Sequence, residues 1–150
     1  MKNLYQAETL AKVQARLAGL TAAAPRRWGT MTAAQMLAHC SRGMEWAVGE
    51  RRPPRMYAGR LLGLMFKDKV LRDDTPMRPG SPTAPDLLVR DECDFEAERE
   101  RLAGLLARFA ANGAAGCTKH PHSFFGRLTP DEWACLTYKH IDHHLRQFGA

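Results

Sequence analysis

The four cysteines of the chain, Cys40, Cys93, Cys117 and Cys135, include no CxxC pair. Their scatter excludes a zinc ribbon and a disulfide framework and leaves four reduced thiols. No stretch approaches the roughly 20 apolar residues of a membrane span, and Met1-Lys2-Asn3-Leu4-Tyr5-Gln6 lacks the apolar core of a secretion signal. A cytoplasmic protein without membrane attachment is expected. Internal repeats and low-complexity tracts are absent as well. The net charge of +6 comes largely from Arg51, Arg52, Arg55, Arg60, Lys67, Lys69 and Arg72. That stretch has no interleaved aromatic platform, helix-turn-helix signal or glycine-rich RNA motif, so it reads as a solvated face rather than a nucleic-acid surface.

What is present is helix. At 150 residues, 45% hydrophobic and 25% charged, the chain suits one globular domain burying about two thirds of its unfolded surface. Leu10, Val13, Leu17 and Leu20 recur at helical spacing and predict a helix over residues 5–20, broken by Pro25-Arg26-Arg27-Trp28-Gly29. Thr32-Ala33-Ala34-Gln35 is a capping box that opens a second helix, Ala33 to Val48. A short apolar helix spans 58–72. Pro76, Pro79, Pro82 and Pro85, one every third residue, then force an irregular crossing. Asp94 caps the next helix, whose stripe is Phe95, Leu102, Leu105, Leu106 and Phe109 and whose end is Asn112-Gly113. Thr129-Pro130-Asp131-Glu132, a second capping box with proline at the first helical position, opens the last helix. Four long amphipathic helices with a long connection between the second and third describe an all-α four-helix bundle with a crossover.

Three of the six histidines fall within five positions of the last helix: His140, His143 and His144. Residues four apart on a helix lie one turn above each other, about 40° apart round the axis, so His140 and His144 point the same way and can hold one cation between them. They share a face with Trp133, Leu136, Thr137 and Gln147, opposite Cys135, Lys139, Asp142 and Arg146; His143 lies at its border. On the second helix His39 shares a face with Gln35, Arg42, Gly43 and Trp46, and Gly43 permits a neighbouring helix to approach closely. Where the inward faces of these two helices meet, His39, His140 and His144 form a set of three imidazoles. With an open fourth position that set suits Zn²⁺, Ni²⁺, Fe²⁺ or Mn²⁺. Gln35 and Gln147 are candidates to orient a ligand. Cys40 points about 100° away from His39 and reads as buried packing; Arg42, one turn from His39, is either a binder of an anionic substrate group such as a carboxylate or a salt-bridged or snorkelling side chain.

The segments Gly29-Thr30-Met31-Thr32-Ala33-Ala34-Gln35-Met36-Leu37-Ala38-His39, Phe124 to Trp133 and Lys139-His140-Ile141-Asp142-His143-His144-Leu145-Arg146-Gln147-Phe148-Gly149 resemble the DinB-like superfamily, most closely its branch of unknown function. The resemblance runs over essentially the whole chain. It implies a metal held by one histidine of the second helix and an HxxxH pair of the last, which match His39, His140 and His144. It further implies possible use of a low-molecular-weight thiol, such as mycothiol or bacillithiol, by a transferase or isomerase; the Pro-rich crossing and His122 have no counterpart in the pattern.

Function is expected to follow from the metal, which lowers the pKa of a water or thiol for transfer to, or hydrolysis of, a small electrophile. His120, in the loop before the ligand helix, is the candidate proton carrier, ahead of His122. The rival reading is a non-catalytic bundle whose histidines hold a structural metal or hydrogen-bond in the core. Leu61, Leu62, Leu64, Met65 and Phe66 run together in the short helix and need cover on more than one side, which predicts a homodimer. The alternative is that this helix folds across the bundle's own end and leaves no exposed patch.

Overall fold

A computed structural model describes residues 1–150. Five α-helices carry the chain: α1 (Ala7–Gly19), α2 (Ala33–Ala47), α3 (Tyr57–Val70), α4 (Phe95–Asn112) and α5 (Pro130–Gln147), with 3₁₀ turns at Pro85–Leu87 and Gly113–Gly116. There is no strand; the one β-bridge pairs His122 with Gly126. No helix is long and apolar enough to cross a membrane.

The helix starts follow from their caps. Thr32 accepts from the Gln35 amide while the Gln35 side chain accepts from the Thr32 amide. Thr129 and Glu132 reciprocate in the same way, and Asp94 accepts from the Ala97 amide. Each arrangement satisfies donors that a helix N-terminus leaves without partners.

Packing follows the stripes. α2 lies against α4 and α5, and α1 against the same two helices. Leu4, Val13, Leu37, Leu102, Leu106, Phe109, Ile141 and Leu145 are all within 1% of complete burial in the common core, each such side chain contributing about 1.5–3 kcal/mol. α5 is covered on both sides, although one of its faces reads as polar. Lys139 donates to the carbonyls of Val70 and Asp73 at 2.6 and 2.8 Å. Asp142 pairs with Arg16 at 2.6 Å and Arg146 at 2.8 Å. These polar groups are buried because each meets an opposite charge or a carbonyl.

α3 stands outside this packing. Its seat is the 122–126 turn, which Gly59 and Gly63 approach so closely that a Cβ on either would lie 2.4 or 2.2 Å from the Phe124 carbonyl oxygen. Arg55 donates to the His122 carbonyl beside it, and Lys67 pairs with Glu132 at 2.8 Å. Three of the seven basic side chains of this stretch are thus engaged within the chain: Arg51 pairs with Glu45, and Arg55 and Lys67 as above.

Candidate metal centre

Three imidazoles from two helices converge. His39 comes from α2 and His140 and His144 from successive turns of α5. One ring nitrogen from each lies within 4.8 Å of the others. His39 and His144 are 3% and 8% exposed, and His140 is less fully buried as a residue.

The outer nitrogens decide which way the inner ones face. His39 Nδ1 lies 2.9 Å from the carbonyl oxygen of Leu87. A carbonyl only accepts, so Nδ1 carries the hydrogen and Nε2 presents a lone pair inward. His144 Nδ1 lies 2.8 Å from Gln147 Oε1. The Gln147 amide donates at 2.7 Å to the Trp28 carbonyl, which fixes that amide's orientation and makes Oε1 the acceptor. His144 therefore also turns a bare Nε2 inward. His140 Nε2 is 2.7 Å from His39 Nε2; with His39 unable to donate there, His140 supplies the hydrogen. A divalent ion would replace that hydrogen and move it to His140 Nδ1.

Two glycines make this geometry possible. A Cβ at Gly43 would lie 3.2 Å from Cε1 and Nδ1 of His140, so the α2 backbone is the wall against which that ring rests. Gly29, at φ +77°, would place a Cβ 2.6 Å from Gln147 Nε2; both its left-handed backbone and its missing side chain serve the glutamine that holds His144.

Burial keeps all three rings neutral. Desolvation pushes His39 below its usual value despite the opposing Leu87 hydrogen bond. Desolvation and then the neighbouring histidines hold His140 well below it, and desolvation brings His144 to about 3. Neutral nitrogens are the form that binds a cation. The set fits a divalent ion of the zinc or nickel type: three imidazoles, no thiolate or carboxylate in the group, and two of the three outer nitrogens already held by acceptors, as metal-bound histidines prefer. Nitrogens 2.0–2.1 Å from a tetrahedral ion stand about 3.3 Å apart, so His39 and His140 need to separate by only about 0.6 Å.

The other candidates are placed as follows. Gln147 holds the His144 ring through its Nδ1. Gln35 instead serves its own cap and donates to the carbonyls of Asp91 and Arg90. His143 turns away and bonds the Met77 carbonyl at 3.1 Å. Cys40 is fully buried beside the Met36 sulfur at 3.7 Å. Arg42 forms no salt bridge; it donates to the Leu88 carbonyl at 2.5 Å. His120 lies outside the three-histidine group, its Nε2 3.1 Å from the Pro53 carbonyl, which leaves Nδ1 as its basic atom. His122 accepts from the amides of Phe124 and Phe125 at 3.1 and 3.2 Å, packs against Trp46, Phe125 and Trp133, and is brought by desolvation to about 4. What sequence reading did not find is the role of the Pro-rich crossing. It supplies the carbonyls of Met77, Leu87 and Leu88 to His143, His39 and Arg42, acceptors that any residue type provides and no motif can signal.

No curated protein and no solved structure matches the chain. The model of one family, described as protein of unknown function (DUF1569), matches residues 2–150, and the chain belongs to that family.

Proposed function

We propose that the protein is a divalent-metal-binding four-helix bundle of DinB-like type that uses its metal in a transferase or hydrolase reaction on a small molecule. The observation that carries the reading is the double commitment of outer nitrogens, His39 to Leu87 and His144 to Gln147, which leaves two buried lone pairs facing one point beside His140. An ordinary core histidine needs one acceptor and one donor; these two lack donors other than the single hydrogen of His140. His39, His140 and His144 hold the ion. When bound, the ion supplies a Lewis acid that makes a water or a low-molecular-weight thiol nucleophilic at neutral pH. In the thiol case a C–S bond forms at the electrophile, its leaving group departs with the bonding pair, and the thiol proton goes to a base, for which His120 Nδ1 is the candidate.

Elemental analysis of the purified protein tests the first part: one equivalent of zinc, nickel, iron or manganese is expected, and none after His140→Ala. Incubating the loaded protein with a small thiol and an activated aryl halide tests the second, with thioether appearing faster than in the His140→Ala control.

The second reading, a non-catalytic core, is favoured by one observation, the 2.7 Å His39–His140 contact, which two neutral rings make as an ordinary hydrogen bond. Protein that keeps no metal when refolded with each of these ions decides for it.

A further inference from the structure

Six of the eight large apolar side chains that the chain leaves exposed lie on α3: Tyr57, Leu61, Leu62, Leu64, Met65 and Phe66, with Leu61 at 87% and Leu64 at 70%. The glycine side of the helix is pressed on the Phe124 backbone, so the rest of its circumference faces outward. Counted at about 100° per residue, Leu64, Tyr57, Asp68, Leu61 and Met65 fall in that order across one outward arc, flanked by Arg60 on one side and Lys69 on the other. Arg60, Asp68 and Lys69 are exposed. None of them takes part in an ion pair within the chain.

We propose that this arc packs against the same arc of a second copy, the two α3 helices running antiparallel about a twofold axis beside Leu64. Charge decides the occupant and the direction. With Leu64 at the axis, the position four residues before it lies opposite the position four residues after it. Arg60 thus meets the partner's Asp68, and Asp68 the partner's Arg60, so the one acidic group on the arc is neutralised twice. A bilayer surface accepts the apolar residues and the flanking cations, but it takes Asp68 into the headgroup boundary with nothing to pair it. Area agrees. The four apolar side chains on the arc, Tyr57, Leu61, Leu64 and Met65, expose on the order of 500 Å² together, near the top of the roughly 300–600 Å² of the largest patch on a typical monomer. Covering it on two copies removes about 1,000 Å², the lower end of a specific interface. The contact is isologous and closes on itself.

Sedimentation equilibrium of the full chain from about 1 to 100 µM, a range that brackets micromolar association, tests this. A monomer–dimer equilibrium with a dissociation constant of about 10 µM is expected, and Leu64→Arg weakens it at least 30-fold while circular dichroism stays unchanged. Arg60→Asp and Asp68→Arg each weaken it roughly tenfold, and the two together restore it to within about threefold, because the exchanged charges pair again across the axis. Three results overturn the proposal: a monomer throughout, a dimer indifferent to Leu64→Arg, or a double variant no tighter than the singles. Protein that stays monomeric yet floats with phosphatidylserine-containing vesicles, and loses that with Leu64→Arg, assigns the arc to membranes instead.

Discussion

The histidine centre and α3 are opposite solutions to placing side chains against their preference. At the centre, polar rings lie in the protein interior, and four of the six ring nitrogens have a named partner: a carbonyl of the crossing, the Gln147 amide, or another imidazole. On α3, apolar side chains lie in water with nothing over them. Burying a polar group is tolerable only when its hydrogen bonds are replaced, a local and directional requirement that this chain meets by itself. Exposing apolar area carries no directional demand, only a cost proportional to area, and a second surface can remove it later. The interior of the protein is therefore set by directed bonds, while the exterior of α3 is left bare.

The largest effect separating the two regions concerns the ion itself. His144→Ala removes one of the three proposed ligands and should weaken metal binding by more than about 1,000-fold, roughly 4 kcal/mol. Helix content should not change, since the apolar stripes do not depend on the ion. Isothermal titration with Zn²⁺ beside circular dichroism checks both halves; global unfolding on chelation would identify a structural metal instead.

Next in size is the joint that holds α3. Gly63→Val puts carbon where the Phe124 carbonyl oxygen lies 2.2 Å from an added Cβ, and should cost about 3 kcal/mol in urea unfolding. Gly104→Ala, on α4 with nothing within 4 Å of its Cβ, should stabilise by about 0.5–1 kcal/mol. If both glycine variants behave alike, the close approach of α3 is not what fixes it.

Smaller again is the loss of the glutamine behind His144. Gln147→Leu leaves His144 in place without its acceptor and should weaken the metal 10–100-fold, about 1.4–2.7 kcal/mol. Unchanged affinity would show that the outer hydrogen bond does not govern the site.

The smallest expected effect is in acid. His122 titrates near 4 in the folded chain because burial disfavours its charged form, against about 6.5 when unfolded. The unfolded state therefore binds more protons between those values, and stability is lost as pH falls from about 6.5 towards 4. The ring should contribute roughly 1–2 kcal/mol of that loss at pH 4.5. His122→Gln should flatten the pH dependence of the urea midpoint by this amount, and an unaltered slope would reassign the acid sensitivity to the other histidines.

Much of the helical scaffold was legible in local sequence. The two capping boxes, the aspartate cap at Asp94 and the leucine stripes each depend on residues within a turn or two of one another, and all four long helices lie within two residues of their expected starts. The pairing of His140 with His144 was legible for the same reason, as one turn of helix sets it. Bringing His39 to that pair required a guess about how two helices meet, and Gly43 was its only local sign. The polar face of α5 misled, because segment 70–74 and α1 cover Lys139 and Asp142 from a distance in sequence that no periodicity reports.

The sequence by itself determined the helices, their caps, and which histidines share a face, since these follow from spacing and from side-chain chemistry near in the chain. Only the tertiary structure decided which nitrogen of each ring faces inward, because the acceptors are backbone carbonyls such as Leu87, identical in every residue type and positioned only by the fold. It also decided that α3 turns its apolar arc to water, because the two glycines that seat it could equally have met a helix; which surface they press upon depends on the Phe124 turn, about 60 residues further along the chain.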